Sequence, residues 1–212
     1  DVTLDLYKKI TKDWLIDAPI LASFGTGAPF INGGNVENRG VELGANWRDN
    51  VGQFNYNVGV NVSYNQNEVT KINNTEGIIH GPAKVPGELM TESFRAQVGF
   101  PIGYFWGYET DGIFQNEQEV LNYKNSKGEL IQPDARPGDV RFVNTNDDNE
   151  ISDADKVMIG DPNPDFTFGM NLGVNYKGFF LSVTGNGTAG NQIMRNYRTP
   201  DKPKNNYTYE IM

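Results

Sequence analysis

Two segments of this chain alternate apolar and polar residues at every second position. In the first, the apolar positions are Phe54, Tyr56, Val58, Val60, Val62 and Tyr64, and the residues between them are Asn, Gly or Ser. The second runs from Phe166 to Tyr176, with Thr, Gly or Asn between its apolar residues. Because successive side chains of a β-strand point to opposite faces, each segment predicts a strand with one apolar and one polar face.

Weaker copies of the same alternation bring the predicted number of strands to about seven. They lie at residues 2–6, 41–47, 94–98, 102–108 and 179–183. No apolar run approaches the roughly 18 residues that a membrane-spanning helix needs, so a helical membrane protein is excluded. The sequence therefore predicts an all-β protein.

Such alternation fits either a soluble β-sandwich or a membrane-spanning β-barrel. Two features favour the barrel. The polar faces carry almost no Lys or Glu, which a solvent-exposed sheet normally has. The apolar rows also end in aromatic residues, as in the girdles of outer-membrane barrels. A secreted β-sandwich that binds carbohydrate and is stabilised by calcium remains the alternative interpretation.

The connections between the predicted strands alternate between short and long. The short ones are residues 49–53, 99–101 and 177–178, and the long ones are residues 13–38, 67–91, 115–164 and those after Gly187. Transmembrane barrels have short periplasmic turns and long extracellular loops. Seven strands would leave two open edges, which a bilayer does not tolerate. We therefore expect an antiparallel transmembrane β-barrel of which residues 1–212 form a part.

One acidic segment has the ligand spacing of a calcium-binding loop. Over twelve positions it offers oxygen ligands from Asn144, Asn146, Asp148, the backbone carbonyl of Glu150, and Asp155. Asn at the first position and Asn149 at the usual glycine position depart from the pattern. The alternative is an acidic turn whose side chains bond their own backbone.

The sequence gives little support to nucleic-acid binding or to catalysis. The net charge of -9 argues against nucleic-acid binding, which needs a basic surface. The single histidine, His80, and the absence of cysteine leave no credible nucleophile–base pair, so we expect no enzyme and no catalytic residues. Tyr104, Trp106 and Tyr108 are expected to belong to an aromatic girdle, with stacking on sugar rings as the alternative.

Several blocks of residues, in this order along the chain, resemble the SusC-like TonB-dependent transporters. They lie at residues 4–7, 11–13, 34–43, 103–114, 144–155 and 159–169. In that family these blocks fall in the C-terminal part of the barrel. The resemblance covers nearly the whole chain.

The resemblance implies a location in the outer membrane of a Gram-negative cell and import of oligosaccharides or other oligomeric nutrients, such as peptides. It also implies an internal plug domain, energy supplied through the TonB complex, and a surface lipoprotein of the SusD type that closes the barrel. The plug and the remaining strands lie outside these residues. Membrane lipid would surround the barrel, and the long loops would lie outside the cell, where the lipoprotein docks.

Overall fold

The computed structural model describes residues 1–17, 30–81 and 92–194. Almost every regular element in these ranges is a strand. The elements are β1 (Val2–Asp17), β2 (Phe30–Val51), β3 (Phe54–Ile72), β4 (Ile78–His80), β5 (Phe94–Gln97), β6 (Tyr104–Tyr108), β7 (Thr110–Ile113), α1 (Glu117–Asn122), β8 (Val140–Phe142), β9 (Lys156–Gly160), β10 (Phe166–Tyr176) and β11 (Phe179–Ala189).

The chain divides into two compact units, which are described separately. The described part of the first unit comprises residues 1–17, 30–81, 95–104 and 161–194. The described part of the second comprises residues 92–94 and 105–160. The long strands belong to the first unit, and the helix belongs to the second.

The first unit is built on a five-stranded antiparallel sheet in the order β1-β2-β3-β10-β11. β3 and β10 pair without a break from Phe54 opposite Tyr176 to Tyr64 opposite Phe166. The two strictly alternating segments therefore lie side by side with their apolar positions in register. The antiparallel all-β prediction is confirmed, and the sheet is not closed on itself.

Two of the predicted short turns are two-residue hairpin turns. Gly52 and Gln53 join β2 to β3, and Lys177 and Gly178 join β10 to β11. Lys177 and Gly178 both have positive φ, at 48° and 85°, which is the requirement of a type I′ turn. These two turns lie at the same end of the sheet.

At the opposite end, the strands are longer than the sequence predicts. Residues 13–38 were expected to form a loop, but β1 continues to Asp17 and β2 begins at Phe30. β3 likewise continues to Ile72, inside the predicted loop at residues 67–91. These extensions have no alternating apolar row. They could form strands without one, because strands pair through backbone hydrogen bonds. The rest of the two predicted loops, residues 18–29 and 82–91, lies outside the described residues.

Five of the seven predicted strands join the long sheet. The other two, near residues 94–98 and 102–108, are strands of four and five residues. Each is shorter than the roughly nine to eleven residues that cross a bilayer.

The short strands form small antiparallel pairs. In the first unit, β4 pairs with β5. In the second unit, β6 pairs with β9, and β7 pairs with β8.

The first unit has a small apolar core at the end of the sheet away from the hairpin turns. It consists of Val36, Val69, Ile72 and Ala96, with Trp14, Ile79 and Ile102 packed against it. The second unit buries Phe114, Val120 and Ile131. Helix α1 has six residues, and no helix among the described residues is long and apolar enough to cross a membrane.

Candidate functional site

One face of the long sheet exposes a continuous apolar surface. Its central rows are formed by every second residue from Phe54 to Tyr64 of β3 and from Phe166 to Tyr176 of β10, and nine of these side chains are between 38% and 49% exposed. Val60, for example, lies between Ala45 of β2 and Met170 of β10. Apolar patches of this extent on a protein surface mark contact with another protein or with a membrane. The large exposed residues of β3 and β10 on this face are Phe54, Val58, Val60, Val62, Tyr64, Phe166, Phe168, Met170 and Tyr176.

Aromatic rings close this apolar face at both ends. The ring centroids of Tyr64 and Phe166 are 5.1 Å apart at one end, and those of Phe54 and Tyr176 are 6.3 Å apart at the other. Each strand contributes eleven residues between these limits. A tilted strand needs about nine to eleven residues to cross a bilayer. The length of the apolar face and its aromatic ends therefore match a membrane-spanning segment.

A charged row follows directly where the apolar face ends. Leu6, Val41 and Tyr64 form its last row, and Lys8, Arg39 and Gln66 occupy the same face one row further on. The Lys8 ammonium is 2.8 Å from the Glu37 carboxylate, and Arg39 Nε donates to Gln66 Oε1 at 3.0 Å. The boundary between apolar and charged side chains thus falls within one row.

The opposite face is a pattern of asparagine and glycine that continues across the strands. Gly59 lies between Asn46 of β2 and Asn171 of β10. Asn61 lies opposite Gly169, and a Cβ atom on Gly169 would be 2.6 Å from Asn61 Oδ1. The amide side chains therefore lie over the glycines of neighbouring strands. Because they lie against the backbone, they project little from the sheet, and this face is polar.

This polar face also carries two facing carboxylates. Asp5 of β1 lies directly opposite Glu42 of β2. Neither forms an ion pair within the described ranges, and like charges at opposite positions of a sheet repel each other. This part of the face is therefore suited to a cationic neighbour.

A chain of hydrogen bonds crosses the polar face beside the apolar core. The Tyr7 hydroxyl donates to Asn65 Oδ1 at 2.9 Å, and Asn67 Nδ2 donates to Asn38 Oδ1 at 2.9 Å. The backbone N–H of Ile102 in turn donates to Asn67 Oδ1 at 2.8 Å. These bonds fix the turn that carries Ile102 against β3.

Tyr104 and Tyr108 of β6 do not belong to the exposed apolar face. Tyr104 is fully buried, donates to Gln97 Oε1 at 2.7 Å and stacks on Phe100. Tyr108 donates to Asp153 Oδ1 at 3.1 Å, and the Lys156 ammonium lies 5.2 Å from the centroid of its ring. The predicted girdle role is therefore wrong for Tyr104 and Tyr108, because each is held by contacts within its own unit.

The Tyr108 contact shifts the ionisation of both partners. Burial, and next the hydrogen bond to Asp153, raise the pKa of Tyr108 above its usual value. The hydrogen bond from Lys156, 2.7 Å away, and next that from Tyr108, lower the pKa of Asp153. The three side chains thus tie the turn at Asp153 to strands β6 and β9.

The predicted calcium-loop residues form two groups in the structure. Asp148 accepts hydrogen bonds from Asn146 Nδ2 at 2.7 Å and from the backbone N–H of Glu150 at 2.9 Å, and Asn144 Nδ2 donates to the Asp148 carbonyl at 2.6 Å. Asp155 is fully buried and instead accepts from the backbone N–H groups of Thr145 and Ser152.

These contacts bring four of the five predicted ligand residues together and give Asp155 a capping role. Within the described residues, no group of three or more His, Cys, Asp or Glu side chains is arranged to hold a metal ion. Asn144 Oδ1 is buried and accepts no hydrogen bond from the part of the chain that the structure describes. Calcium binding by this loop stays a prediction.

Known proteins resemble this chain over most of its length. The family model for the β-barrel of TonB-dependent receptor-like proteins matches residues 1–208. The TonB-dependent receptor P3 of Formosa agariphila is 31% identical over 92% of this chain, and the TonB-dependent receptor SusC of Bacteroides thetaiotaomicron is 22% identical over 90% of it. The chain spans only 19% and 18% of these two relatives.

Solved structures show the same fold. The RagAB peptide transporter superposes on 89% of this chain with a TM-score of 0.65 and 22% identity, and the matched region is 19% of that protein. The RagAB peptide importer in its closed-closed state gives a TM-score of 0.64 at 23% identity.

Proposed function

This chain belongs to the family of TonB-dependent receptor-like β-barrels, which reside in the outer membrane, and we propose that it forms part of the wall of an importer for oligosaccharides or other oligomeric nutrients. The resemblance to SusC-like transporters that the sequence indicates is confirmed by these relatives. The members of this family are transporters and not enzymes, and we assign no covalent chemistry to this part of the chain.

The difference between the two faces of the long sheet carries this proposal. The rows through Val60 are apolar, partly exposed and bounded by aromatic residues, so they face lipid. The rows through Asn61 consist of amides and glycines and face a hydrated lumen. A lumen lined by small uncharged groups hydrogen-bonds a polar solute without holding it strongly.

The two open edges of the sheet support a larger barrel. β1 and β11 each pair on one side only within the described sheet. Unpaired backbone groups are costly in hydrocarbon, so both edges would pair with strands elsewhere in the parent protein. We propose that residues 1–212 belong to one barrel domain whose plug domain is contributed by another part of that protein. The Asp5–Glu42 pair provides a negative surface for a cationic group inside the lumen.

A soluble β-sandwich would need a second sheet over the apolar rows. The side chains of Val58, Val60 and Val62 are 39%, 46% and 41% exposed, which is far from the dry interior of a sandwich. The family match also favours the barrel. The carbohydrate-binding sandwich is therefore the weaker interpretation.

The proposed partners follow from the family. A surface lipoprotein of the SusD type would close the extracellular opening and deliver substrate, and the TonB complex would supply energy from the inner membrane. The structural relative RagAB is described as a peptide transporter, so peptides are the second substrate class that we propose.

We also propose that calcium binds the loop at Asn144, Asn146, Asp148, Glu150 and Asp155. Asn144 and Asn146 each lie within hydrogen-bond distance of Asp148, and the buried Asn144 Oδ1 has no hydrogen-bond partner among the described residues, which supports this proposal. The ion would make rigid a loop that we place outside the cell.

Uptake by cells tests the importer assignment. The strain that encodes the parent protein should take up a fluorescent oligosaccharide or oligopeptide, and deletion of the parent gene should abolish uptake of one of the two. Re-expression should restore it, but not after addition of a protonophore, which removes the energy that TonB transmits. Unchanged uptake of every probe in the deletion strain would reject the proposal.

A further inference from the structure

The second unit contains an open groove of roughly 780 Å³ with an apolar and acidic lining. Strand β8 lies along the groove and contributes Val140 and Phe142. Gln132 bonds the neighbouring segment to β8, since its Nε2 donates to the Val140 carbonyl at 3.2 Å and its Oε1 accepts from the Phe142 N–H at 2.9 Å. The segment at Gln132 is therefore held against β8.

The charged groups of this groove all have the same sign. Asp134, Asp139 and Glu150 line it, and no described lining residue is basic. Asp139 accepts one hydrogen bond, from the backbone N–H of Arg136 at 2.8 Å. The carboxylates of Asp134 and Glu150 have no hydrogen bond or ion pair within the described residues. Three carboxylates thus lie beside an apolar strip without a counter-charge.

The surrounding segment does not supply that counter-charge. Between Phe105 and Gly160 the sequence has twelve acidic and five basic residues. Arg141 is 2.9 Å from Asp111, and Lys156 is 2.7 Å from Asp153, so both cations are paired elsewhere. Within the described residues, Lys124, Lys127 and Arg136 form no ion pair with the carboxylates of the groove. The groove therefore complements a cation that comes from another molecule.

An arginine or lysine side chain matches both parts of the lining. Its aliphatic stem would pack on Val140, Phe142 and Ile151, while its charged end would meet the carboxylates. A small ligand normally has most of its surface enclosed. Here Pro133, Asp134, Asn149 and Glu150 are all exposed, so the groove is too open for that. An apolar centre with a polar edge is the usual composition of a protein interface.

We propose that this groove, which we name the acidic groove, binds an arginine or lysine side chain of the surface lipoprotein. This inference rests on the proposed function, because it assigns a contact point to the partner of that transporter. A basic residue of the lipoprotein, flanked by apolar residues, would occupy the acidic groove.

Charge reversal in the full-length transporter tests this contact. The variant Asp134→Lys with Glu150→Lys changes the acidic groove, and Glu109→Lys with Glu117→Lys makes the same change in net charge at two acidic residues that do not line it. The lipoprotein that co-purifies with the wild-type transporter is the probe, and its dissociation constant is measured with both proteins in detergent. A second arm uses a free peptide with arginine between two leucines.

We expect roughly tenfold weaker lipoprotein binding at low salt for the groove variant, and little change for the control pair. The difference should shrink as the ionic strength rises. An arginine-to-glutamate change in the lipoprotein that restores binding to the groove variant alone would identify the matching residue. Heat-unfolding profiles of both variants establish that each is folded.

Three results would overturn the inference. Equal affinity of the groove variant and the wild type would show that the lipoprotein does not use the acidic groove, although import by the wild type would leave the proposed function intact. Loss of peptide binding with normal lipoprotein binding would make the groove a site for free peptide instead. If no lipoprotein accompanies the wild-type transporter, both the inference and the proposed partnership fail.

Discussion

Tyr64 of β3 and Phe166 of β10 lie directly opposite each other, with their ring centroids 5.1 Å apart. This pair marks the last row of the apolar face, because Gln66 and Arg39 occupy the next row of that face. One pair of rings thus marks one limit of the proposed membrane-spanning region.

Val60 lies near the middle of the apolar face, so the change Val60→Lys would place an ammonium near the centre of the bilayer. We expect a loss of about 2–4 kcal/mol in folding free energy. Asn61→Lys, one residue along, faces the lumen and should cost much less. Urea unfolding of the full-length barrel in lipid vesicles measures both variants, and equal losses would contradict the assignment of the faces.

Gly34 has no room for a side chain, because a Cβ atom there would overlap the backbone carbonyl of Lys71 on β3. Backbone cannot move aside as a flexible side chain can, so Gly34→Ala should destabilise the barrel by about 1–3 kcal/mol. Gly185→Ala is the matched control, since its Cβ would meet only Met170 at 3.4 Å. The temperature of heat unfolding in detergent should fall for Gly34→Ala and stay constant for Gly185→Ala.

The raised pKa of Tyr108 predicts an effect at alkaline pH. Burial is its first cause and the hydrogen bond to Asp153 its second, so the phenol should ionise above the ordinary value of about 10. A raised folded-state pKa stabilises the fold below the ordinary pKa, and this contribution is lost as the pH rises through the folded-state value.

Phenolate absorbance measures this effect as the difference between the wild type and Tyr108→Phe. Asp153→Asn should lower the midpoint of Tyr108, but not to the ordinary value, because burial remains. An unchanged midpoint in Asp153→Asn would show that the Asp153 carboxylate does not influence this phenol.

Calcium binding is expected with a dissociation constant of about 10⁻⁴ to 10⁻³ M, the range of extracellular sites. Calorimetric titration of the full-length protein should give heat for the wild type and none for Asp148→Ala. Glu109→Ala removes one exposed carboxylate outside the loop and should bind as the wild type does. A wild-type titration without heat would show that the loop does not bind calcium.

The strands that meet the proposed membrane could be predicted from the sequence. Between Phe54 and Tyr64 every second side chain contributes to an apolar face, so alternation reveals both the strand and its orientation. The hairpin turn at Lys177 and Gly178 could be predicted as well, since it joins two such strands directly.

The strand extensions could not be predicted in the same way. Beyond Tyr64 no face of β3 contacts a continuous apolar environment, so the alternation disappears although the pairing with β2 continues to Ile72. The position of Tyr104 was also missed. Tyr104 is buried against Phe100 and Gln97. These residues are near it in sequence, but they contact its ring and hydroxyl only because the chain turns between β5 and β6.

The match of asparagine to glycine across strands depends on register. Asn61 lies opposite Gly169 only because β3 and β10 pair from Phe54 opposite Tyr176 onward. The acidic groove was missed for a similar reason, since Asp134 and Glu150 are distant in sequence and line one cavity only in the folded unit.

Quenching by lipid distinguishes the side chains that face the bilayer from those that face the lumen. A fluorescent probe is attached to a cysteine at position 60 or at position 61 of the full-length barrel, reconstituted in vesicles whose lipid chains carry bromine. We expect strong quenching at position 60 and weak quenching at position 61. Equal quenching at the two positions, or the reverse order, would contradict the assignment of the apolar rows to lipid.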